Sequence, residues 1–175
     1  MPESQQPSDG INHVHQEILK TPKVNVIDVG AGEGKWGKLL KGKVDLVNGI
    51  EVWEPYIKKY NLLSLYDTLH NVNMMEFKYD DADYDVMILG DVLEHLKYED
   101  AITFINEAKK HVATIYLIIP ISLCVQDGSY YGNPFESHLY QWKDEELKEL
   151  FGFKSIHVGF NPNGLVKIGT YKWEG

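Results

Sequence analysis

Residues 24–29, Val-Asn-Val-Ile-Asp-Val, read as a buried strand that runs straight into Gly30-Ala31-Gly32-Glu33-Gly34. The chain resumes as a helix over about residues 35–41, with Trp36, Leu39 and Leu40 on one side and Lys35, Lys38 and Lys41 elsewhere. Three alternating glycines let a backbone pass close to a ligand, because no Cβ stands in the way. A strand, a glycine loop and a helix in succession are the opening unit of a parallel sheet with a ligand crevice at its carboxyl edge. A turn that merely needs glycine is the competing explanation.

The remaining sequence continues this alternation. A second strand is expected over residues 44–52, and Pro55 suits the first turn of the helix that follows. A short third strand is expected around Val72 and a fourth over residues 84–89. Ala101, Phe104, Ile105 and Ala108 fall at i, i+3, i+4 and i+7, the stripe of a helix packed on a sheet. Residues 113–121 are almost wholly apolar, as befits a central parallel strand buried on both faces. After a helix near residues 143–151, strands over 153–160 and 165–173 flank Asn161-Pro162-Asn163-Gly164, a turn signal that makes them an antiparallel hairpin. The expected fold is α/β: a doubly wound, Rossmann-like, seven-stranded sheet with an antiparallel C-terminal hairpin, in a single domain. Residues 1–10 are polar and carry prolines, so they are expected to be disordered, with the domain spanning 11–175 and led by a short helix from Ile11.

Composition narrows the chemistry. A single cysteine, Cys124, allows neither a disulfide framework nor a cysteine-based zinc site and fits a reducing, cytoplasmic setting. The opening residues lack a signal-peptide pattern, and the longest apolar stretch, broken by Pro120, is short for a membrane span. The net charge is -9 and all 17 basic residues are lysines, so no guanidinium is present to clamp a phosphate or carboxylate. No nucleic-acid partner and no membrane role are expected. His13 and His15 could chelate a metal only with partners that the sequence does not identify, so no metal is assigned.

The identity of the ligand turns on two acidic residues. Gly32-Glu33-Gly34-Lys35-Trp36-Gly37 fits the dinucleotide fingerprint, which is weak evidence by itself. Asp28, at the strand end, would repel a pyrophosphate but could accept the ammonium of S-adenosylmethionine (SAM), directly or through water. Glu51, at the end of the second strand, can accept hydrogen bonds from both ribose hydroxyls, a device that NAD proteins share.

Val26-Ile27-Asp28-Val29-Gly30-Ala31-Gly32-Glu33-Gly34 resembles motif I of the class I SAM-dependent methyltransferases. Gly49-Ile50-Glu51 resembles their second-strand acidic motif. The segment Tyr84-Asp85-Val86-Met87-Ile88-Leu89-Gly90-Asp91-Val92-Leu93-Glu94-His95-Leu96 is similar to the fourth-strand region of their small-molecule branches. The resemblance implies that Asp28, Gly30, Ala31 and Gly32 surround the methionine part of SAM, and that Glu51 holds the ribose. It implies further that Val52 and Trp53 flank the adenine and that Gly90 and Asp91 lie beside the sulfonium. Asn73, followed by Met74, stands where the family often has an acidic residue, and its carbonyl oxygen could still accept from the adenine amine.

The long segment 122–142, rich in polar and aromatic groups, leaves the carboxyl edge beside this crevice and is expected to cover a small-molecule substrate. It holds Asp127, Tyr130, Tyr131, Asn133, Glu136, His138, Tyr140 and Trp142. His138 is the first candidate base for an acceptor hydroxyl, with Glu136 to orient it or bind an amine, and His95, next to Glu94, is the second. The expected reaction is methyl transfer to an oxygen or nitrogen of a small polar molecule, with a sugar or related metabolite in view. Two alternatives stand beside it: a methyltransferase-like protein that binds without catalysis, and an NAD-dependent oxidoreductase, which Asp28 and the want of a second domain oppose.

Overall fold

The computed structural model describes residues 8–21, 23–79, 84–128 and 132–175. Of the expected disordered segment, residues 1–7 lie outside the described residues, whereas Ser8, Asp9 and Gly10 already belong to the leading helix α1 (Ser8–Leu19). That helix starts three residues before the apolar stripe, with Gly10 buried close to Thr170, and its buried apolar residues are Val14 and Ile18.

Seven strands form one sheet in the order β3-β2-β1-β4-β5-β7-β6. These are β1 (Asn25–Val29), β2 (Leu46–Ile50), β3 (Thr68–His70), β4 (Tyr84–Gly90), β5 (Val112–Pro120), β6 (Lys154–Phe160) and β7 (Lys167–Glu174). The first five are parallel, and β7 pairs antiparallel with both β5 and β6. Strand order reverses direction between β1 and β4, and the carboxyl ends of those two strands part to form a crevice.

Period-two alternation divides the core between the two faces of the sheet. Met87 and Leu89 of β4 and Ile115, Leu117 and Ile119 of β5 meet α4 (Tyr98–Ala108) and α5 (Asp144–Phe151) through Phe104, Ile105, Leu147 and Phe151. Val86, Ile88, Tyr116 and Ile118 face the other way, toward α1, α2 (Lys35–Leu40) and α3 (Glu54–Lys59). Pro55 sits in the first turn of α3 as expected. The β6–β7 turn closes on Asn161, whose Oδ1 accepts from the backbone of Leu165 and Val166 at 3.0 Å each.

The third strand lies earlier than expected: it is Thr68–His70, not a strand around Val72. Its partner β2 ends at Ile50, where Glu51 N still donates to His70 O, and the Asn71 side chain then bonds the carbonyls of Glu51 and Val52. With no strand left to pair, the chain turns and delivers Val72, Asn73 and Met74 to the crevice.

The segment after β5 is fastened to the turn after β4. The backbone N–H groups of Leu139 and Tyr140 both donate to Glu94 O, at 2.8 and 3.2 Å. Trp142 is fully buried and its Nε1 donates to Leu93 O at 3.3 Å. Tyr140 donates to Glu146 Oε1 on α5 at 2.8 Å. Trp142 and Tyr140 therefore anchor the segment instead of facing a substrate, and Tyr130 and Tyr131 lie outside the described residues. Trp142→Ala should cost about 3–5 kcal/mol of stability in urea unfolding. A loss under about 1 kcal/mol would mean that this anchor does not hold the segment.

Candidate active site

One cavity spans the carboxyl ends of β1, β2, β4 and β5. Gly30, Ala31 and Gly32 line it, with positive φ at Gly30 (73°), Gly32 (54°) and Gly34 (76°). At Gly30 a Cβ would strike Val92 Cγ2 at 2.6 Å, so glycine is required there for packing as well as for conformation. At Gly32 the nearest heavy atom to a Cβ would be Gly30 O at 3.7 Å, so that face of the loop is open.

The loop is tied to β2. Gly30 N and Ala31 N both donate to Ile50 O at 2.9 Å. Glu51 is 5% exposed; its Oε2 accepts from Gly32 N and its Oε1 from Trp53 N, each at 2.8 Å. Burial pushes its carboxyl up, and the backbone N–H groups oppose that shift. Each oxygen keeps a second lone pair for a ligand.

Two expected cofactor contacts are displaced. Asp28 does not line the cavity: alternation along β1 turns its side chain to the face of Val26, where it is 2% exposed and Oδ2 accepts from Tyr66 at 2.5 Å. Burial raises its pKa to about 7 against the Tyr66 hydrogen bond. Trp53 also lies off the cavity wall, with its ring 6.2 Å from that of Phe135, because the chain has already turned into α3. Val52, Asn73, Met74, Gly90 and Asp91 do line the cavity. Asn73, expected to accept through its carbonyl, already accepts from Met75 N at 3.0 Å through that oxygen, which keeps a second lone pair.

The three expected catalytic residues all reach the same cavity. His95 Nδ1 lies 3.1 Å from Ser137 O and His138 Nδ1 2.6 Å from Cys124 O, and the two rings meet edge to face at 5.0 Å. Burial pushes both imidazoles down, while the Ser137 and Asp91 carbonyls for His95 and the Cys124 carbonyl for His138 resist. Glu136 accepts from Gln126 Nε2 at 3.1 Å, and its charge acts with burial to push the Tyr56 phenol up to about 12.

Sequence reasoning passed over several wall residues. Glu94, read only as a neighbour of His95, is 2% exposed, and burial, reinforced by Asp91, pushes its carboxyl well up. Its signal was a lone acid in the apolar run Val92-Leu93-Glu94. Lys35 is the cavity's cation; burial pushes its amine down, while Asp91, Glu33 and Asp28 favour the charge. Trp36 contributes to the wall, and its buried Nε1–H has no partner among the described residues. Tyr56, Phe135 and Gln126 come from α3 and the long segment, and no local pattern marks them.

Over residues 27–114, about half of the chain, the sequence matches the family model of a methyltransferase domain. The chain belongs to that family. It is a SAM-dependent methyltransferase, and its seven-stranded sheet with antiparallel closing strands is that family's fold. Solved structures with the same fold include the N-terminal domain of EvdMO1 with S-adenosylhomocysteine and D-fucose (14% identity, TM-score 0.70, 97% of this chain and 84% of that one). Another is magnesium protoporphyrin IX methyltransferase from Synechocystis PCC 6803 with S-adenosylhomocysteine (19%, 0.66, 94% and 83%). A third is the N-methyltransferase NodS from Bradyrhizobium japonicum WM9 (12%, 0.63, 96% and 98%). None of the curated proteins compared with this methyltransferase matches it significantly.

The buried Asp28 makes stability depend on pH. Its pKa, raised from 3.8 to about 7 on folding, means that the folded state holds the proton more tightly. Its contribution is therefore lost as pH rises from about 4 through about 7. Asp28→Asn keeps an acceptor for Tyr66 and removes the titration. Relative to wild type, this variant should gain roughly 2 kcal/mol between about pH 5 and pH 8 in urea unfolding. An equal stability difference at both pH values would refute the buried charge.

Proposed function

We propose that this methyltransferase transfers the methyl group to an oxygen or nitrogen of a small polar molecule, with a sugar or related metabolite as the favoured acceptor class. The observation that carries this reading is one cavity with a ribose-type acceptor, Glu51, on its wall and the Glu94, His95 and His138 cluster on the same wall surface. The residues suit SAM. The open face of Gly32 and the unpartnered Trp36 Nε1–H provide room and a donor beside the loop, and Lys35 supplies a cation for the methionine carboxylate. In this assignment Gly30, Ala31 and Gly32 hold the methionine part together with Lys35, and Glu51 takes the ribose. Val52, Asn73 and Met74 take the adenine, and Gly90 and Asp91 flank the sulfonium. The Asn73 carbonyl oxygen keeps a lone pair for the adenine amine, and its amide N–H groups can serve a ring nitrogen.

Bound SAM supplies an electrophilic methyl group on a sulfonium. The protein's part is to align the acceptor and, for a hydroxyl, to take up its proton as the new bond to carbon forms and the bond to sulfur breaks. The Glu94, His95 and His138 cluster is the place for that proton to leave, with Glu136 and Tyr56 to hold the acceptor's polar groups. The EvdMO1 domain, solved in the presence of S-adenosylhomocysteine and D-fucose, supports a polyhydroxylated acceptor of modest size.

Calorimetry should give one-to-one binding of SAM and no binding of NAD. Glu51→Ala should weaken SAM by roughly 1–3 kcal/mol, the scale of charge-assisted hydrogen bonds lost with their partners stranded. Unchanged SAM affinity in the folded variant would remove Glu51 from the ribose site. On an acceptor found by screening hydroxylated and amino metabolites with methyl-labelled SAM, His138→Ala should lower turnover of a hydroxyl acceptor by about 10²–10⁴-fold and leave SAM affinity nearly intact. Wild-type turnover would remove His138 from the chemistry.

A further inference from the structure

Glu94 poses a problem that the cofactor does not solve. Its carboxylate has no side-chain donor among the described residues, only the weak help of its own backbone N–H, yet the residue is 2% exposed. A buried carboxylate in that condition needs donors, a proton or a cation. Asp91 stands close enough to add its own negative field.

The two imidazoles beside it are oriented for one of those solutions. A backbone carbonyl can only accept, so Nδ1 of His138 against Cys124 O carries the hydrogen, and Nδ1 of His95 faces Ser137 O in the same way while the Asp91 carbonyl also lies against that ring. The neutral His138 ring held in this way presents its lone pair at Nε2, and an ion would take the His95 ring nitrogen that is left without the hydrogen. Anchoring of the far ring nitrogen by a carbonyl is how imidazole ligands of metals are oriented. One potential ligand atom from each of Glu94, His95 and His138 lies within 4.8 Å of the other two. Ligands that share an ion at about 2.0–2.2 Å are at most about 4.4 Å apart, so side-chain shifts of the order of an ångström complete the set.

We propose that Glu94, His95 and His138 form a binding site for a single divalent transition-metal ion on the wall of the cofactor cavity. Two imidazoles and a carboxylate suit zinc, manganese, iron or cobalt. The three ligands come from one side, because the turn after β4 supplies two and the segment fastened to Glu94 O brings the third. All three residues line the cavity, so the remaining coordination positions face the space left for the acceptor. With an ion bound, the imidazole lone pairs are engaged and His138 acts as a ligand instead of a base: the cation attracts an acceptor oxygen and favours its ionised form, as zinc does for water. That role rests on the methyltransferase reading above; the metal binding does not.

The test is a titration of chelator-treated protein with Co²⁺, followed by its visible d–d absorption, and with Zn²⁺ by calorimetry. Wild type should take up one ion. Glu94→Gln and His138→Ala should each weaken binding by at least about tenfold, since even the loss of an outer-shell partner costs that much. His13→Ala, altered at a histidine stacked on His157 away from the cavity, should bind as wild type does. Glu94→Gln removes a buried charge and keeps the side chain's shape, so it should fold even if His138→Ala does not. No uptake by folded wild type, or uptake unchanged by Glu94→Gln, would overturn the site. SAM titration of the same sample separates the two readings: SAM bound without metal refutes the metal site alone, and metal bound without SAM refutes the functional assignment alone.

Discussion

The bond between the glycine loop and the end of β2 sets the geometry of everything around it. Ile50 O accepts two loop N–H groups, and Glu51 accepts a third from Gly32 while capping its own turn at Trp53. A loop of left-handed glycines is costly to order and has little side-chain packing to hold it. Here a buried carboxylate and a strand-end carbonyl hold it by its backbone. The same contacts set where α2 begins, and so bring Lys35 and Trp36 to the cavity wall.

Three buried carboxylates surround this region, and each meets the penalty of burial differently. Asp28 leans on the Tyr66 hydroxyl beneath the loop. Glu51 takes backbone N–H groups and keeps lone pairs facing the ligand. Glu94 has only the weak help of its own backbone N–H among the described residues. The support weakens from a side-chain hydroxyl, through two backbone N–H groups, to little more than the residue's own N–H, and it runs from a structural role through a binding role to the reactive end of the cavity. Unsatisfied buried charge is destabilising, and it persists where function requires it.

Fold and cofactor were legible in the sequence because both rest on local patterns. Apolar strands alternate with helical stripes, glycines follow a strand, and an acid ends the next one. The side to which a residue turns was less legible. Asp28 was assigned to the ligand from its place in the motif, but strand alternation points it under the loop. Trp53 departs for a similar reason, since the chain has turned into α3 where its ring would have to face the cavity. Tyr140 and Trp142 carry aromatic rings like those of a binding lid, yet their hydrogen bonds to Glu146 and Leu93 O make them anchors. The pairing of His95 with His138 depends on the Leu139 and Tyr140 N–H bonds to Glu94 O, long-range contacts that no local window contains.

The central claim is that one cavity holds the cofactor with its reacting end toward the Glu94, His95 and His138 cluster. A crystal structure with S-adenosylhomocysteine tests this most directly. The account predicts the ribose hydroxyls on Glu51, the methionine carboxylate near Lys35 and Trp36 Nε1, and the sulfur beside Gly90 and Asp91, facing the cluster. A nucleoside bound outside this cavity, or a sulfur turned away from Glu94 and both histidines, would contradict it.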